Sequence, residues 1–251
     1  MLRISVIIAT LNSEKTIERA IESVVKQNFI ETELIIIDGK SDDDTCKLAS
    51  QYKDNFTNFC LKSEKDRSIY EAFNKGISLA TGDLIGILGS DDMYAPNAFN
   101  TLKKSFNLKT EIFYGNIIRF KELNDKNTYY QKTSENLNLF KKKMPIRHLS
   151  CFVKREWYIK HPYDESFKIC GDYHFLYRSF KNNAVFQYID YNFVYMQEGG
   201  LSSFNLQKIY EDYRIKSEFN SKAFALRALI KDLILYYSVL IKRELLKNLS
   251  R

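Results

Sequence analysis

The strongest constraint on this chain is a series of short apolar runs that alternate with helical patterns and close on polar residues. Residues 2–9 (Leu-Arg-Ile-Ser-Val-Ile-Ile-Ala), 33–38 (Glu-Leu-Ile-Ile-Ile-Asp) and 84–88 (Leu-Ile-Gly-Ile-Leu) are short, continuous and rich in Ile, Leu and Val, the pattern of strands buried on both faces. A weaker strand is expected at 59–62. After the first run, Ile17, Ala20, Ile21, Val24 and Val25 recur at helical spacing. Ser41 stands where its hydroxyl can cap a second helix, with Asp42, Asp43 and Asp44 at the positive helix end. Ser68-Ile69-Tyr70-Glu71 has capping-box spacing, ahead of a face of Ile69, Phe73, Ile77 and Ala80 that runs on to Gly82. Strand and helix alternating at these lengths predict an α/β protein with a mostly parallel sheet, helices on both faces.

Open sheets of this kind bind ligands at the carboxyl ends of their strands, so the residues there deserve the closest reading. The run at 84–88 delivers Gly89-Ser90-Asp91-Asp92 to that edge. Adjacent carboxylates repel unless a cation lies between them and an anionic group, and hard divalent ions shared with phosphate oxygens are the common solution. The same Ser-Asp-Asp string is also ordinary turn chemistry.

Past residue 95 the pattern changes. Pro96 suits the start of a helix carrying Phe99, Leu102 and Phe106. Short aromatic-rich strands are expected at 112–114, 117–121, 127–132 and 151–153, a helix at 172–181, a strand at 185–196, and helices at 204–220 and 222–249. The 251 residues contain only 9 Gly and 3 Pro, with no Gly- or Pro-rich linker, so residues 1–220 are read as one domain and 221–251 as a basic C-terminal helix. No signal-peptide pattern opens the chain, so a cytoplasmic location is expected. Cys46, Cys60, Cys151 and Cys170 are widely spaced, which suits reduced thiols packed as small hydrophobes.

The formal charge of +7 is uneven, with +5 of it falling in residues 222–251. No aromatic-interleaved basic element of a nucleic-acid binder is present, and no nucleic acid is expected as a partner. Leu226, Leu229, Leu233, Tyr236, Tyr237 and Leu240 fall on one helical face, with Arg227, Lys231, Ser238 and Lys242 opposite. Charges interrupt the segment too early for a membrane span. An amphipathic basic helix of this kind can lie on an anionic membrane surface. Packing on the body, or on a second copy in a homodimer, accounts for the leucine face equally well.

Five strings in fixed order carry a resemblance: Ser5-Val6-Ile7-Ile8-Ala9-Thr10-Leu11-Asn12; Ile37-Asp38-Gly39-Lys40-Ser41-Asp42-Asp43-Asp44-Thr45; Asp66-Arg67-Ser68-Ile69-Tyr70-Glu71-Ala72-Phe73-Asn74-Lys75-Gly76; Gly89-Ser90-Asp91-Asp92; and Cys170-Gly171-Asp172-Tyr173-His174-Phe175-Leu176-Tyr177-Arg178. The set resembles the family 2 glycosyltransferases, of GT-A fold, and more closely the bacterial members that build O-antigens, capsules and similar surface glycans. The likeness is strong over residues 3–95, fair to about 200 and absent beyond. It implies a GT-A, Rossmann-like central sheet with a small aromatic-rich second sheet and C-terminal helices. It also implies a nucleotide-binding half at 1–95 and an acceptor half at 96–220.

By the resemblance, Thr10, Leu11 and Asn12 receive the nucleotide of a UDP-sugar and Asp38 accepts from the uracil N–H, a sound choice because an acceptor-only group selects a base edge that offers a donor. Asp66 and Arg67 lie along the pocket, Lys75 is a diphosphate partner, Asp91 contacts the ribose, and Asp92 holds Mn²⁺ or Mg²⁺. Gly89 stands where relatives often carry a further acid. Asp172 is the base that deprotonates an acceptor hydroxyl of a glycan or polyprenyl-diphosphate-linked sugar, giving an inverting, metal-dependent hexosyl transfer at the inner face of the membrane. His148 resembles an acceptor-side histidine, and Gly199, Gly200 and Ser202 resemble a mobile lid. Plain structural roles stand beside each: Asp38 ends a strand, Arg67 and Lys75 are solvated helix cations, Asp172 caps its helix, His148 is an ordinary histidine, and the Gly pair is a turn. A sugar nucleotidyltransferase and a non-catalytic sugar-binding or assembly protein are the alternatives. The former would ordinarily show a Gly-rich phosphate loop after the first strand, and the latter would have lost Asp92 or Asp172.

Overall fold

The computed structural model describes residues 2–121, 128–199 and 205–249. Four parallel strands form its first half, in the spatial order β3 (Asn58–Ser63), β2 (Thr32–Asp38), β1 (Ile4–Thr10), β4 (Leu84–Gly89). The pleat explains why the apolar runs are continuous. Alternate residues face opposite sides, so Ile7, Ile35, Ile37, Ile85 and Ile87 enter one core while Val6, Ile8, Leu34, Ile36, Leu84 and Leu88 enter another. Helix α1 (Ile17–Val25) covers the second core, and α3 (Ile69–Leu79) covers the first.

The aromatic strands expected as a small second sheet continue the same nine-stranded sheet. After β5 (Met93–Tyr94) and α4 (Ala98–Ser105) come β6 (Ile112–Phe120), β7 (Tyr129–Gln131), β8 (Cys151–Lys154) and β9 (Phe186–Gln197). Strand β8 runs antiparallel between β4 and β6, β9 runs parallel to β6, and β5 and β7 add antiparallel to β9 and β6. The first four strands are thus all parallel, the second half mixes antiparallel pairs with the parallel β6–β9 pair, and β6 and β9 end on the same edge as β4.

Local readings changed where tertiary partners intervened. Helix α2 spans Thr45–Ser50, and Ser41 does not cap it because its hydroxyl turns back onto Asp38. Ser68 does accept from the Glu71 N–H at 3.3 Å, but the Glu71 carboxylate takes the Arg67 N–H at 2.7 Å, so the reciprocal half of the capping box goes to Arg67. Helix α3 stops at Leu79, short of Gly82. The stretches 112–114 and 117–121 are one strand with a register break at Gly115 and Asn116. Asn127 lies outside the described residues. Helix α5 (Arg155–Lys160) and a 3-10 turn at Leu137–Lys141 had no distinct periodic signal.

Helices α6 (Gly171–Lys181), α7 (Leu206–Phe219) and α8 (Lys222–Leu249) complete the chain. The face expected to be the apolar one on α8 is split. Ala225 is buried and Leu229, Leu233 and Tyr236 are half-buried, while Leu226, Tyr237 and Leu240 are exposed together with Ile230, Ile234 and Ile241. Apolar side chains thus occur on both the packed and the open side, and the simple two-faced helix does not hold. Among the described residues no helix is long and apolar enough to cross a membrane.

Candidate active site

The carboxyl edge of β1, β2 and β4 gathers the predicted residues because the register sets Thr10 opposite Asp38, Ala9 opposite Gly89 and Asp38 opposite Ser63. The loops after β1 and β2 are stitched together. The Asn12 N–H donates to Ser41 Oγ at 2.8 Å, the Asp42 N–H to Asn12 Oδ1 at 3.1 Å, and the Ser13 N–H to Thr45 Oγ1 at 2.7 Å. Asn12 itself adopts φ +51°, a left-handed conformation that asparagine tolerates better than most residues. Leu11 is left 60% exposed at the edge.

Asp38 is 0% exposed. Its carboxylate accepts from the N–H groups of Lys40 at 3.1 Å and Ser41 at 2.9 Å, from the Ser63 hydroxyl at 2.6 Å, and from the Ser41 hydroxyl. Burial pushes its pKa up, but the Ser41 and Ser63 donors outweigh that and hold it below the usual carboxylate value. Asp38 thus organises the loop, and a base contact would require one of these donors to yield.

Lys75 departs from the expectation of a free diphosphate partner. Its ammonium lies 2.7 Å from Asp66, 2.8 Å from Glu64 and 3.6 Å from Glu71, and Asp66 and Glu64 raise its pKa. Three carboxylates already satisfy it, so its charge is spent inside the protein. Arg67 projects into solvent and bonds Glu71 at 2.9 Å and Glu165 at 2.7 Å. Asp66 keeps one buried oxygen, Oδ2, without a partner, which makes it the better candidate for a ligand donor in this segment.

At the end of β4 the Asp92 N–H bonds the Gly89 carbonyl at 3.1 Å and closes the turn. Ser90 Oγ meets Ser13 Oγ at 2.9 Å, tying this turn to the β1 loop. A Cβ on Gly89 would stand 2.3 Å from Asp92 Oδ2 and 2.9 Å from Asp91 Oδ1. Gly89 therefore makes the space on which both carboxylates converge, and an acid there would fill it. Asp92 is 4% exposed, and burial followed by the charge of Asp91 pushes its pKa to about 7. Among the described residues no group of three His, Cys, Asp or Glu could hold a metal ion. The Asp92 carboxylate is a hard oxygen donor of the kind Mn²⁺ or Mg²⁺ takes.

Asp172 opens α6 with its Oδ1 accepting the Tyr173 N–H at 2.7 Å. Burial pushes its pKa up to about 6, against the opposing pull of that N–H and of Lys208 and Arg147. His148, by contrast, is in the core. It stacks on Phe73 with ring centroids 5.8 Å apart, meets the Tyr163 hydroxyl through Nε2, and is pushed by burial to about 4, so it is neutral. The ring is enclosed by packing, which replaces the expected acceptor contact with a structural one. Gly199 has φ +115° and open space around it, and Gly200 and Ser202 lie outside the described residues.

The family model described as Glycosyl transferase family 2 matches residues 5–162. The chain belongs to glycosyltransferase family 2. It is 27% identical over 207 residues to the "PGL/p-HBAD biosynthesis glycosyltransferase" of Mycobacterium tuberculosis, covering 79% of this chain and 78% of that one. It is 30% identical over 126 residues to the "GalNAc(5)-diNAcBac-PP-undecaprenol beta-1,3-glucosyltransferase" of Campylobacter jejuni, covering 49% and 41%. The fold matches S. aureus TarS 1-349 in complex with UDP-GlcNAc at TM-score 0.67 and 19% identity, covering 94% of this chain and 73% of that one.

Three residues of this family 2 transferase escaped the sequence reading. Arg19 on α1 donates to the Asp91 carbonyl and to Gln197 Oε1, both at 2.6 Å, and lies over the Phe120 ring at 5.4 Å. The Gln197 N–H in turn donates to Asp92 Oδ1 at 2.8 Å, so α1 and the end of β9 hold the two-aspartate turn in place. Glu211 on α7, fully buried, accepts the consecutive N–H groups of Lys168, Ile169 and Cys170 at 2.8, 2.9 and 2.8 Å. It thereby fixes the segment that presents Asp172. A lone Arg, a Gln past a strand and a Glu in a helix carry no local signal, because each acts on a residue distant in sequence.

Proposed function

We propose that this transferase moves a hexosyl group from a UDP-sugar to a hydroxyl of a glycan or polyprenyl-diphosphate-linked sugar, with inversion at the anomeric carbon. The observation that carries this reading is the pair of carboxylates whose pKa values burial raises, Asp92 to about 7 and Asp172 to about 6. Buried carboxyl groups of this kind concentrate at functional sites, and these two stand at the turn after β4 and at the start of α6.

Thr10, Leu11 and Asn12 border the nucleotide end, with the Asp38 loop behind them and Asp66 Oδ2 and Asp91 as further polar contacts. Asp92 is the residue that would hold Mn²⁺ or Mg²⁺, which when bound would neutralise charge on the departing diphosphate, and Asp91 is the one that would contact the ribose. Asp172 takes the proton of the acceptor hydroxyl. The acceptor oxygen bonds the anomeric carbon as the carbon–oxygen bond to UDP breaks, and UDP leaves with the bonding pair. A single displacement inverts the centre.

Helix α8 supports peripheral contact with the inner face of a membrane. Arg227, Lys231 and Lys242 accompany exposed Leu226, Ile230, Ile234 and Ile241, a mixture suited to anionic lipid. The competing occupant of the same face is a second copy of the chain. Co-sedimentation with anionic vesicles separates the two: an Ile234→Asp, Lys231→Glu chain that still partitions like the wild type overturns membrane contact. The donor reading is tested by UDP release across UDP-sugars with Mn²⁺ and a lipid-linked acceptor. Release with none of them overturns it.

A further inference from the structure

A cavity of about 360 Å³ opens where β6 and β9 lose register, away from the residues assigned above. Gly115 permits the break: a Cβ there would stand 2.5 Å from the Phe193 ring and 2.6 Å from the Tyr191 carbonyl. Its walls pair the rings of Tyr130, Tyr191 and Tyr195 with the polar groups of Asn116, Asp190 and Asn192.

The polar side is organised. The Asn116 amide donates to the Tyr188 hydroxyl at 2.9 Å and to Asp190 Oδ1 at 3.0 Å, and its Oδ1 accepts the Thr133 N–H at 2.9 Å. Asn192 Oδ1 is buried with no partner, an acceptor that a bound donor would satisfy. Tyr130 is exposed on the rim.

Among the described residues no Lys, Arg or His lines the cavity, which disfavours phosphate or nucleotide. Rings that can stack on C–H faces, together with a carboxylate and amides that exchange hydrogen bonds with vicinal hydroxyls, match a neutral sugar. The volume falls within the roughly 300–1,000 Å³ range of small-ligand sites. Position ties it to the reaction. Tyr195 pairs with Met93, the residue after Asp92, and Pro96 lies on the rim just beyond β5. Tyr191 packs against the core beneath α1 and α4, whereas the helix of Asp172 packs in the other core. Asp172 and the rest of α6 are not among the residues that line the cavity.

We propose that the cavity is a binding site for a neutral glycan, holding sugar units of the acceptor chain remote from the transferred bond. Only its link to the acceptor rests on the transferase reading. Binding of an array of neutral oligosaccharides, about two to four hexose or N-acetylhexosamine units long, is measured without nucleotide. At least one is expected to bind the wild type, and Tyr130→Ala and Asn192→Ala each weaken it about tenfold. Neither variant changes UDP affinity, and Asn192→Ala does not lower the unfolding temperature, because it removes an acceptor that had no partner. No bound neutral glycan, or binding that both variants retain, overturns the proposal. Wild-type UDP-sugar turnover is read in parallel, and its failure overturns the donor reading while leaving glycan binding to stand.

Discussion

The two halves of the sheet treat their polar groups differently. Along β1, β2 and β3 the loop-forming polar groups are matched within the protein, apart from the Thr10 hydroxyl and Asp66 Oδ2: Asp38 has four donors, Lys75 has three carboxylates, and the two loops are cross-linked. Around β6, β9 and α6 polar groups are left with work undone. Asp172 is pushed to about 6, and Asn192 Oδ1 lacks a partner. A satisfied network is rigid, while an unsatisfied buried group is costly until a ligand arrives. The Asp38 loop is thus preorganised as a frame, while Asp66 Oδ2 and Asn192 Oδ1 keep free valences that a ligand could fill.

Substitutions can break this contrast. The largest effect is expected from Asp172→Asn, which removes the base and should lower kcat about 10²–10⁴-fold while leaving UDP affinity intact. Full turnover with an authentic acceptor would refute the assignment. Next, Gly89→Ala drives a methyl into Asp92 Oδ2 and should weaken the Mn²⁺ dependence of UDP binding by roughly 10–100-fold, read by metal titration. In the matched half, Lys75→Met should cost stability, about 2 kcal/mol, because Asp66 and Glu64 lose their counter-charge, with little change in UDP affinity. A large affinity loss at unchanged stability would instead restore Lys75 to the diphosphate.

The smallest and most diagnostic effect is pH dependence. Turnover under limiting acceptor should rise through about pH 6 as Asp172 deprotonates and then level off. For stability the sign is opposite. Folded-state pKa values raised above the ordinary carboxylate value make the protonated forms favourable to folding. That contribution is complete below about pH 4 and is lost as pH rises through about 6 for Asp172 and about 7 for cation-free Asp92. Thermal unfolding of the cation-free protein should therefore show a decline from pH 5 to 8, smaller in Asp172→Asn. A flat difference between variant and wild type would show that Asp172 is not perturbed.

Much of the frame was legible in the amino-acid order. Strands β1, β2 and β4 announce themselves because a strand covered on both faces is apolar at nearly every position, and Asp38 closes β2 while Asp92 lies in the turn after β4. For Lys75 and His148 the amino-acid order left a ligand role and a structural role both open. Their charge and ring suit a ligand, and only neighbours distant in sequence, Glu64 and Asp66 around one, Phe73 and Tyr163 around the other, consume them. Gly89 looked like a lost acid and proved to be the space its neighbours need.

By itself the sequence determined the alternation of elements, the carboxyl-edge placement of the acidic turns and the kinship to family 2, because these are encoded in neighbouring residues and short spacings. The tertiary structure alone decided that β6 and β9 join the first sheet, that Arg19 and Gln197 brace Asp91 and Asp92, and that Glu211 steadies the approach to Asp172. Those contacts join segments far apart in the chain, so no local periodicity records them. They appear only when burial forces each polar group to find a partner.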